Sequence, residues 1–209
     1  MSQGRLITVE GIDGAGKTTL SGGIARALGD QHGIDIHLLR EPGGVELAER
    51  IRELVKDPKL KVGGRAEALL YAAARAELVE QALLPLLASG SWVLLDRYVD
   101  SSLAYQGAAR GLGIEEVLAI NSFATNGLTP NRTLLLRLDA GEARQRMGGR
   151  GEATDRLEAE DDAFFVATAR AYDQLAAAEP ERFRVLDATL GPDDLLASAL
   201  VALGDLIPA

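Results

Sequence analysis

Apolar and polar positions along this chain alternate between two rhythms. Leu6-Ile7-Thr8-Val9 is short, apolar and partly β-branched, which reads as a buried strand, whereas from Thr18 to Leu28 apolar residues recur at Leu20, Ile24 and Leu28, the spacing of one helix face. Similar short runs at 35–40, 91–96, 132–138 and 183–187 join 5–10 to make five predicted strands. Helical patterns rich in alanine and leucine occupy about 64–88, 114–127, 158–178 and 191–205, with 45–57 a further apolar helix; proline enters the four longer patterns only at Pro85 and Pro192. Strands that alternate with helices predict an α/β fold of three layers, α/β/α, around a five-stranded parallel sheet. Such sheets gather ligands at the carboxyl ends of their strands, which points to Asp13, Glu41, Asp96 and Arg97, each just after a predicted strand.

At 209 residues the chain has room for one compact enzyme domain, 1–209, with no internal repeat and no low-complexity linker. Its one irregular stretch, Met147-Gly148-Gly149-Arg150-Gly151-Glu152, predicts a flexible surface loop set among arginines. No apolar run has the length of a membrane span and no leader pattern precedes the first strand, so a cytoplasmic protein without membrane contact is expected. The absence of cysteine removes disulfides, thiolate catalysis and cysteine metal sites, and His32 and His37 read as solvated residues beside a strand edge. With 22 basic and 31 acidic residues the net charge is −9, which opposes binding to nucleic acid. An anionic substrate must therefore be met by local cations, almost all arginine, since lysine occurs only at Lys17, Lys56, Lys59 and Lys61.

One segment gives those cations a task. Gly11-Ile12-Asp13-Gly14-Ala15-Gly16-Lys17-Thr18 fits G-x-x-x-x-G-K-[ST] at every fixed position and lies between a predicted strand and a predicted helix. Glycines let the backbone curl until successive N–H groups face phosphate oxygens, and the helix N-terminus adds partial positive charge. Residues 11–19, closing with Thr19, thus form an ATP phosphate loop in which Lys17 reaches the β/γ-phosphates and Thr18 holds Mg²⁺. Asp96 ends an apolar strand, the place from which an acid orients Mg²⁺ or its waters, and Arg97 beside it can bind an acceptor phosphate. A guanine-reading Asn-Lys-x-Asp segment is excluded because no lysine follows Lys61, which argues against a GTPase switch.

The loop, Arg40-Glu41-Pro42-Gly43-Gly44, Leu70-Tyr71-Ala72-Ala73-Ala74-Arg75, the run from Asp96 to Gly107 and Asp155-Arg156-Leu157-Glu158 together resemble the thymidylate kinases of the bacterial kind, over nearly the whole chain. The resemblance implies transfer of the γ-phosphoryl of ATP to dTMP, giving dTDP and ADP, with Mg²⁺ required and a homodimer as the working form. It implies that Tyr71 stacks on thymine, that Arg75 and Gln106 meet the base edge with Ser102 as a further candidate, and that Tyr105 crowds the ribose 2′ position. It places Asp13 at the 3′-hydroxyl and the metal waters, Arg97 at the acceptor phosphate and Arg52 near that phosphate, and puts Glu41 in the same subsite. Dimerisation would use helices 45–57, 64–88 and 114–127.

Some members of this family carry an arginine directly after the acid equivalent to Asp13, where this chain has Gly14. The transferring group then needs a cation from elsewhere, and Arg144, Arg146, Arg150 and Arg156 lie where other members carry it on a closing lid, which the resemblance places over about 143–156 here. Arg146 and Arg150 are the expected catalytic pair, and spacing leaves open which reaches ATP. A nucleoside kinase or another monophosphate kinase is the competing enzyme reading.

Overall fold

The computed structural model describes residues 4–148 and 155–207. Strands β1 (Arg5–Glu10), β2 (Ile36–Arg40), β3 (Trp92–Asp96), β4 (Arg132–Arg137) and β5 (Phe183–Asp187) form one sheet in the order β2-β3-β1-β4-β5, parallel throughout. β1 lies at the centre and alternates its side chains between two cores. Ile7 and Val9 share one apolar cluster with Leu94, Leu134 and Leu20, Ile24 and Leu28 of α1 (Lys17–His32). Leu6 shares the other with Val93, Leu95 and Leu78 of α3 (Gly64–Leu78). Thr8 is tolerated in this interior because its hydroxyl pairs with that of Thr133 on β4 at 2.8 Å, leaving neither unsatisfied.

The strands fall within one residue of their predicted bounds. The helices depart further, and for local reasons. The predicted 64–88 helix is α3, a wider π turn over Val79–Leu83 and α4 (Leu84–Ala88). The widening sits just ahead of Pro85, whose missing N–H and bulky ring oppose the tighter ladder. The 96–107 run, without a predicted element, folds as α5 (Val99–Ser102) and a second π turn, Leu103–Ala109. The predicted 158–178 helix begins later, as α8 (Asp162–Ala178), because Asp161 caps the Phe164 N–H at 2.9 Å, while Asp155 has already capped Leu157 and Glu158 in a separate turn. The remaining helices are α2 (Glu46–Lys56), α6 (Ile114–Thr125), α7 (Ala140–Gly148) and α9 (Pro192–Leu203). Of the expected lid, 143–148 belong to α7, and 149–154, which include Arg150, lie outside the described residues.

Candidate active site

The carboxyl ends of β1, β2 and β3 open onto one cavity of about 490 Å³, lined among others by Asp13, Lys17, Thr18, Glu41, Arg52, Tyr71, Arg75, Asp96, Arg97, Ser102, Tyr105 and Gln106. β1 hands the chain to residues 11–16, where Gly14 and Gly16 take φ of 87° and 94°, left-handed values that side chains resist. A Cβ on Gly14 would also stand 2.6 Å from the carbonyl oxygen of Ala143, so α7 rests directly on the loop. Ile12 and Ala15 are buried and anchor the loop to the core, with the Ala15 N–H donating to Ile12 O at 3.3 Å, and Thr19 faces the cavity.

Lys17 folds back over this loop, its Nζ donating to the carbonyl oxygens of Gly11 at 3.1 Å and Ile12 at 3.0 Å. Burial and then the charge of Arg97 pull its ammonium down to about 8, against the attraction of Asp13 and Asp96. The Thr18 hydroxyl donates to Asp96 Oδ2 at 2.9 Å and so joins the start of α1 to the end of β3. Two hard oxygen donors beside a phosphate loop fit Mg²⁺, which keeps most of its shell as water and substrate oxygens. No cluster of three or more metal-binding side chains occurs among the described residues.

Across the cavity, Arg97 takes φ of 71°, uncommon for a side chain of this size. Its guanidinium pairs with Asp13 at 2.6 Å and also reaches the Gly11 carbonyl, the Ser101 hydroxyl and the Tyr105 hydroxyl. Tyr105 in turn donates to Asp13 Oδ2 at 2.8 Å. Burial pushes the Asp13 carboxyl up, but Arg97 and then Lys17, with hydrogen bonds from Tyr105 and Arg97, hold it well below the usual carboxylate range. Beneath Arg97 lies Glu10, fully buried, whose Oε1 accepts the Tyr98 N–H at 2.7 Å and whose Oε2 accepts the hydroxyls of Ser101 at 2.6 Å and Tyr172 at 2.8 Å. Burial and then Asp100 raise its carboxyl to about 7, against Ser101, Arg97 and Tyr172.

The far wall is built on α3, where Glu67, Tyr71 and Arg75 recur every four residues on one face. Arg75 is 1 % exposed, and all five of its N–H donors are engaged: twice on Glu41 Oε2, then on Ser102 at 3.0 Å, the Tyr98 carbonyl at 2.9 Å and Asn121. Arg75 thus lines this wall with its guanidinium saturated by protein. Gln106 meets Glu67, and Arg52 donates to the Pro42 carbonyl at 2.9 Å.

The arginines expected on a lid separate. Arg146 donates to the Ala188 carbonyl at 2.9 Å, just past β5 and off the cavity wall; Arg144 pairs with Asp162 at 2.8 Å; Arg156 pairs with Glu67 at 2.7 Å and donates to the Val55 carbonyl at 2.9 Å. Sequence reasoning missed Glu67, Asn121 and Tyr172 altogether and assigned Glu10 no task. For Glu67 a signal existed, its position one helical turn before Tyr71, whereas nothing local marks Asn121 or Tyr172.

Comparison with known proteins agrees with this geometry. A sequence model described as "Thymidylate kinase" matches residues 9–198. The thymidylate kinase of Halorhodospira halophila is 43 % identical over 99 % of this chain and 96 % of its own length, and that of Deinococcus radiodurans is 47 % identical over 98 % of each. The crystal structure of thymidylate kinase from Ehrlichia chaffeensis superposes with a TM-score of 0.77 at 27 % identity, covering 96 % of this chain and 99 % of that one.

Proposed function

The chain belongs to the thymidylate kinase family and is a dTMP kinase, moving the γ-phosphoryl of ATP to dTMP to give dTDP and ADP, and we propose how its own residues divide that work. The observation that carries the assignment of roles is the shared wall at Asp13. On one side stand Lys17 and the Thr18–Asp96 pair; on the other, Arg97 and Tyr105 both bond the Asp13 carboxylate. A donor phosphate on the loop and an acceptor phosphate on Arg97 would therefore meet across Asp13.

In this reading the N–H groups of 11–19 and the Lys17 ammonium hold the ATP phosphates, and Arg97 orients the acceptor phosphate with Arg52 nearby. Thr18 and Asp96 would hold Mg²⁺, which would neutralise charge on the phosphate oxygens. Tyr71, half-buried at the cavity wall, stacks on thymine, while Gln106, Arg75 and Ser102 border its polar edge and Glu41 fixes Arg75. Tyr105 fills the space a ribose 2′-hydroxyl would need, and Asp13 accepts the 3′-hydroxyl. Arg146 and Arg150 supply the lid charge over about 143–156, within one kinase domain spanning 1–209; Arg146 must leave the Ala188 carbonyl to do so. A coupled ADP-release assay across dTMP, dUMP, UMP, CMP, AMP and thymidine tests the substrate reading, and turnover of thymidine in preference to dTMP would overturn it.

A homodimer is part of the proposal. Leu69 on α3 and Leu118 and Phe123 on α6 are 57 %, 44 % and 91 % exposed, apolar surface that supports burial against a second copy. No helix among the described residues is long and apolar enough to cross a membrane, and the net charge of −9 opposes nucleic acid, in keeping with action in the cytoplasm on small nucleotides.

A further inference from the structure

Glu67 has no exposed surface and stands behind the cavity wall, bonded to the lining residue Gln106, with both oxygens engaged. Its Oε1 accepts from Gln106 Nε2 at 2.9 Å and Arg110 Nε at 3.3 Å; its Oε2 accepts from Arg110 at 3.2 Å and pairs with Arg156 at 2.7 Å. The two guanidiniums fix the carboxylate, and the carboxylate fixes the amide. A glutamine can present either its NH₂ or its carbonyl oxygen to a neighbour, but beside a carboxylate only the NH₂ is favourable, since the reverse sets acceptor against acceptor. Gln106 lines the cavity; one N–H of its NH₂ is held by Glu67, and among the described residues no donor reaches its Oε1, which is left to accept from a ligand.

We propose that Glu67 is a specificity-determining positioning residue, which locks the Gln106 amide with its carbonyl oxygen toward the base so that the site accepts a pyrimidine carrying N3–H and rejects cytosine. The inference rests on reading this cavity as the dTMP site. Thymine and uracil carry a proton on N3 and donate it to Oε1. Cytosine has a bare lone pair there, so its N3 would face another acceptor in a closed site, with neither solvated. The neutral isostere at 67 can either donate to Gln106 or accept from it, which frees both amide orientations.

The test compares kcat/KM for dTMP, dUMP and dCMP in the wild type, Glu67→Gln, Gln106→Leu and the double variant. The dTMP:dCMP ratio should fall at least about tenfold in Glu67→Gln, dUMP should follow dTMP, and the ratio should not change further when Glu67→Gln is added to Gln106→Leu. A merely structural role lowers all three substrates together and leaves the ratio unchanged, which would overturn the proposal. An equal shift in the Gln106→Leu background would overturn it too, because Glu67 would then act without the amide. If loss of the charge leaves two arginines unpaired and the single variant does not fold, the same ratio is read in Glu67→Gln/Arg110→Gln. A wild type with no preference for dTMP over dCMP removes the function reading and the proposal together; a wild type with that preference, retained in Glu67→Gln, removes the proposal alone.

Discussion

Replacing Glu10 with glutamine should flatten the pH dependence of stability, and the size of the effect follows from the burial of this carboxyl. The native state holds its proton up to about 7, against an ordinary value of 4.5. Between those values the unfolded chain has ionised at this position and the folded one has not, so the folded state binds more protons and stability falls as pH rises, levelling off above 7. A gap of this size, at about 1.4 kcal/mol per pH unit, gives a loss of about 2–3 kcal/mol between pH 5 and 8. Glutamine keeps the shape and leaves the network satisfied: its carbonyl accepts the Tyr98 N–H, and its NH₂ donates to the Ser101 and Tyr172 hydroxyls, which turn to accept. Urea denaturation of both proteins at pH 5, 6, 7 and 8 isolates the group, because Asp13 and Lys17 titrate in both and largely cancel in the difference. The wild type should lose those few kcal/mol relative to Glu10→Gln across the range, whatever their offset at pH 5. Parallel curves would refute the reasoning, since Glu10 would then ionise as an exposed carboxylate does.

Lys17→Ala should keep the fold and lose about 10²–10³ in turnover, as its ammonium bonds loop carbonyls here and in the proposed reading faces developing charge during transfer; near-wild-type turnover would remove it from the phosphate site. Asp13→Asn should tighten dTMP binding about three- to tenfold by calorimetry while turnover drops, because Arg97 loses its counter-ion; weaker binding would mean that the pair does not compete with the phosphate. Arg146→Ala/Arg150→Ala should hold dTMP affinity within a few-fold and lose at least about 10² in turnover, and full activity would assign the lid charge elsewhere. Phe123→Glu should shift sedimentation from dimer to monomer, whereas an unchanged sedimentation coefficient would place the subunit interface off α6.

What the sequence disclosed was whatever is written locally. The bounds of β1 and β5 coincide with the apolar runs 5–10 and 183–187 because polar or glycine-containing sequence closes each run. The phosphate loop is legible since left-handed glycines, a lysine and a threonine must stand at fixed offsets. The π turns escaped because one extra residue per turn barely disturbs helical periodicity over five to seven positions. The buried carboxylates escaped for a different reason. Glu10 reaches Tyr172 across 162 positions and Glu67 reaches Gln106 across 39, and a pattern of near neighbours, although it sets Glu67 one turn before Tyr71, does not contain those contacts. The resemblance alone made Arg75 a base-reading group, and the structure places all five of its donors on protein partners.

That saturation divides the cavity's cations by how readily a nucleotide can claim them. Lys17 bonds neutral carbonyls, which a phosphate outcompetes because it brings full charge. Arg97 is paired with Asp13, but their side chains are 16 % and 24 % exposed, so a phosphate can replace the carboxylate without leaving either charge dry. Arg75 and Glu41 are 1 % and 4 % exposed, and parting a buried pair of this kind costs about 3–5 kcal/mol, more than an uncharged base edge returns. In the proposed reading phosphates therefore bind at Lys17 and Arg97 by exchange, and Arg75 acts on the base as a fixed wall. The exchange at Arg97 also changes Asp13. Once the acceptor phosphate takes the guanidinium, the carboxylate loses the partner that holds it most strongly in its charged form and gains a free acceptor oxygen beside the loop, where the 3′-hydroxyl of a deoxynucleotide can donate. Acceptor binding and the orientation of Asp13 are in this way one event, which is why neutralising Asp13 should strengthen the first while weakening the turnover that depends on the second.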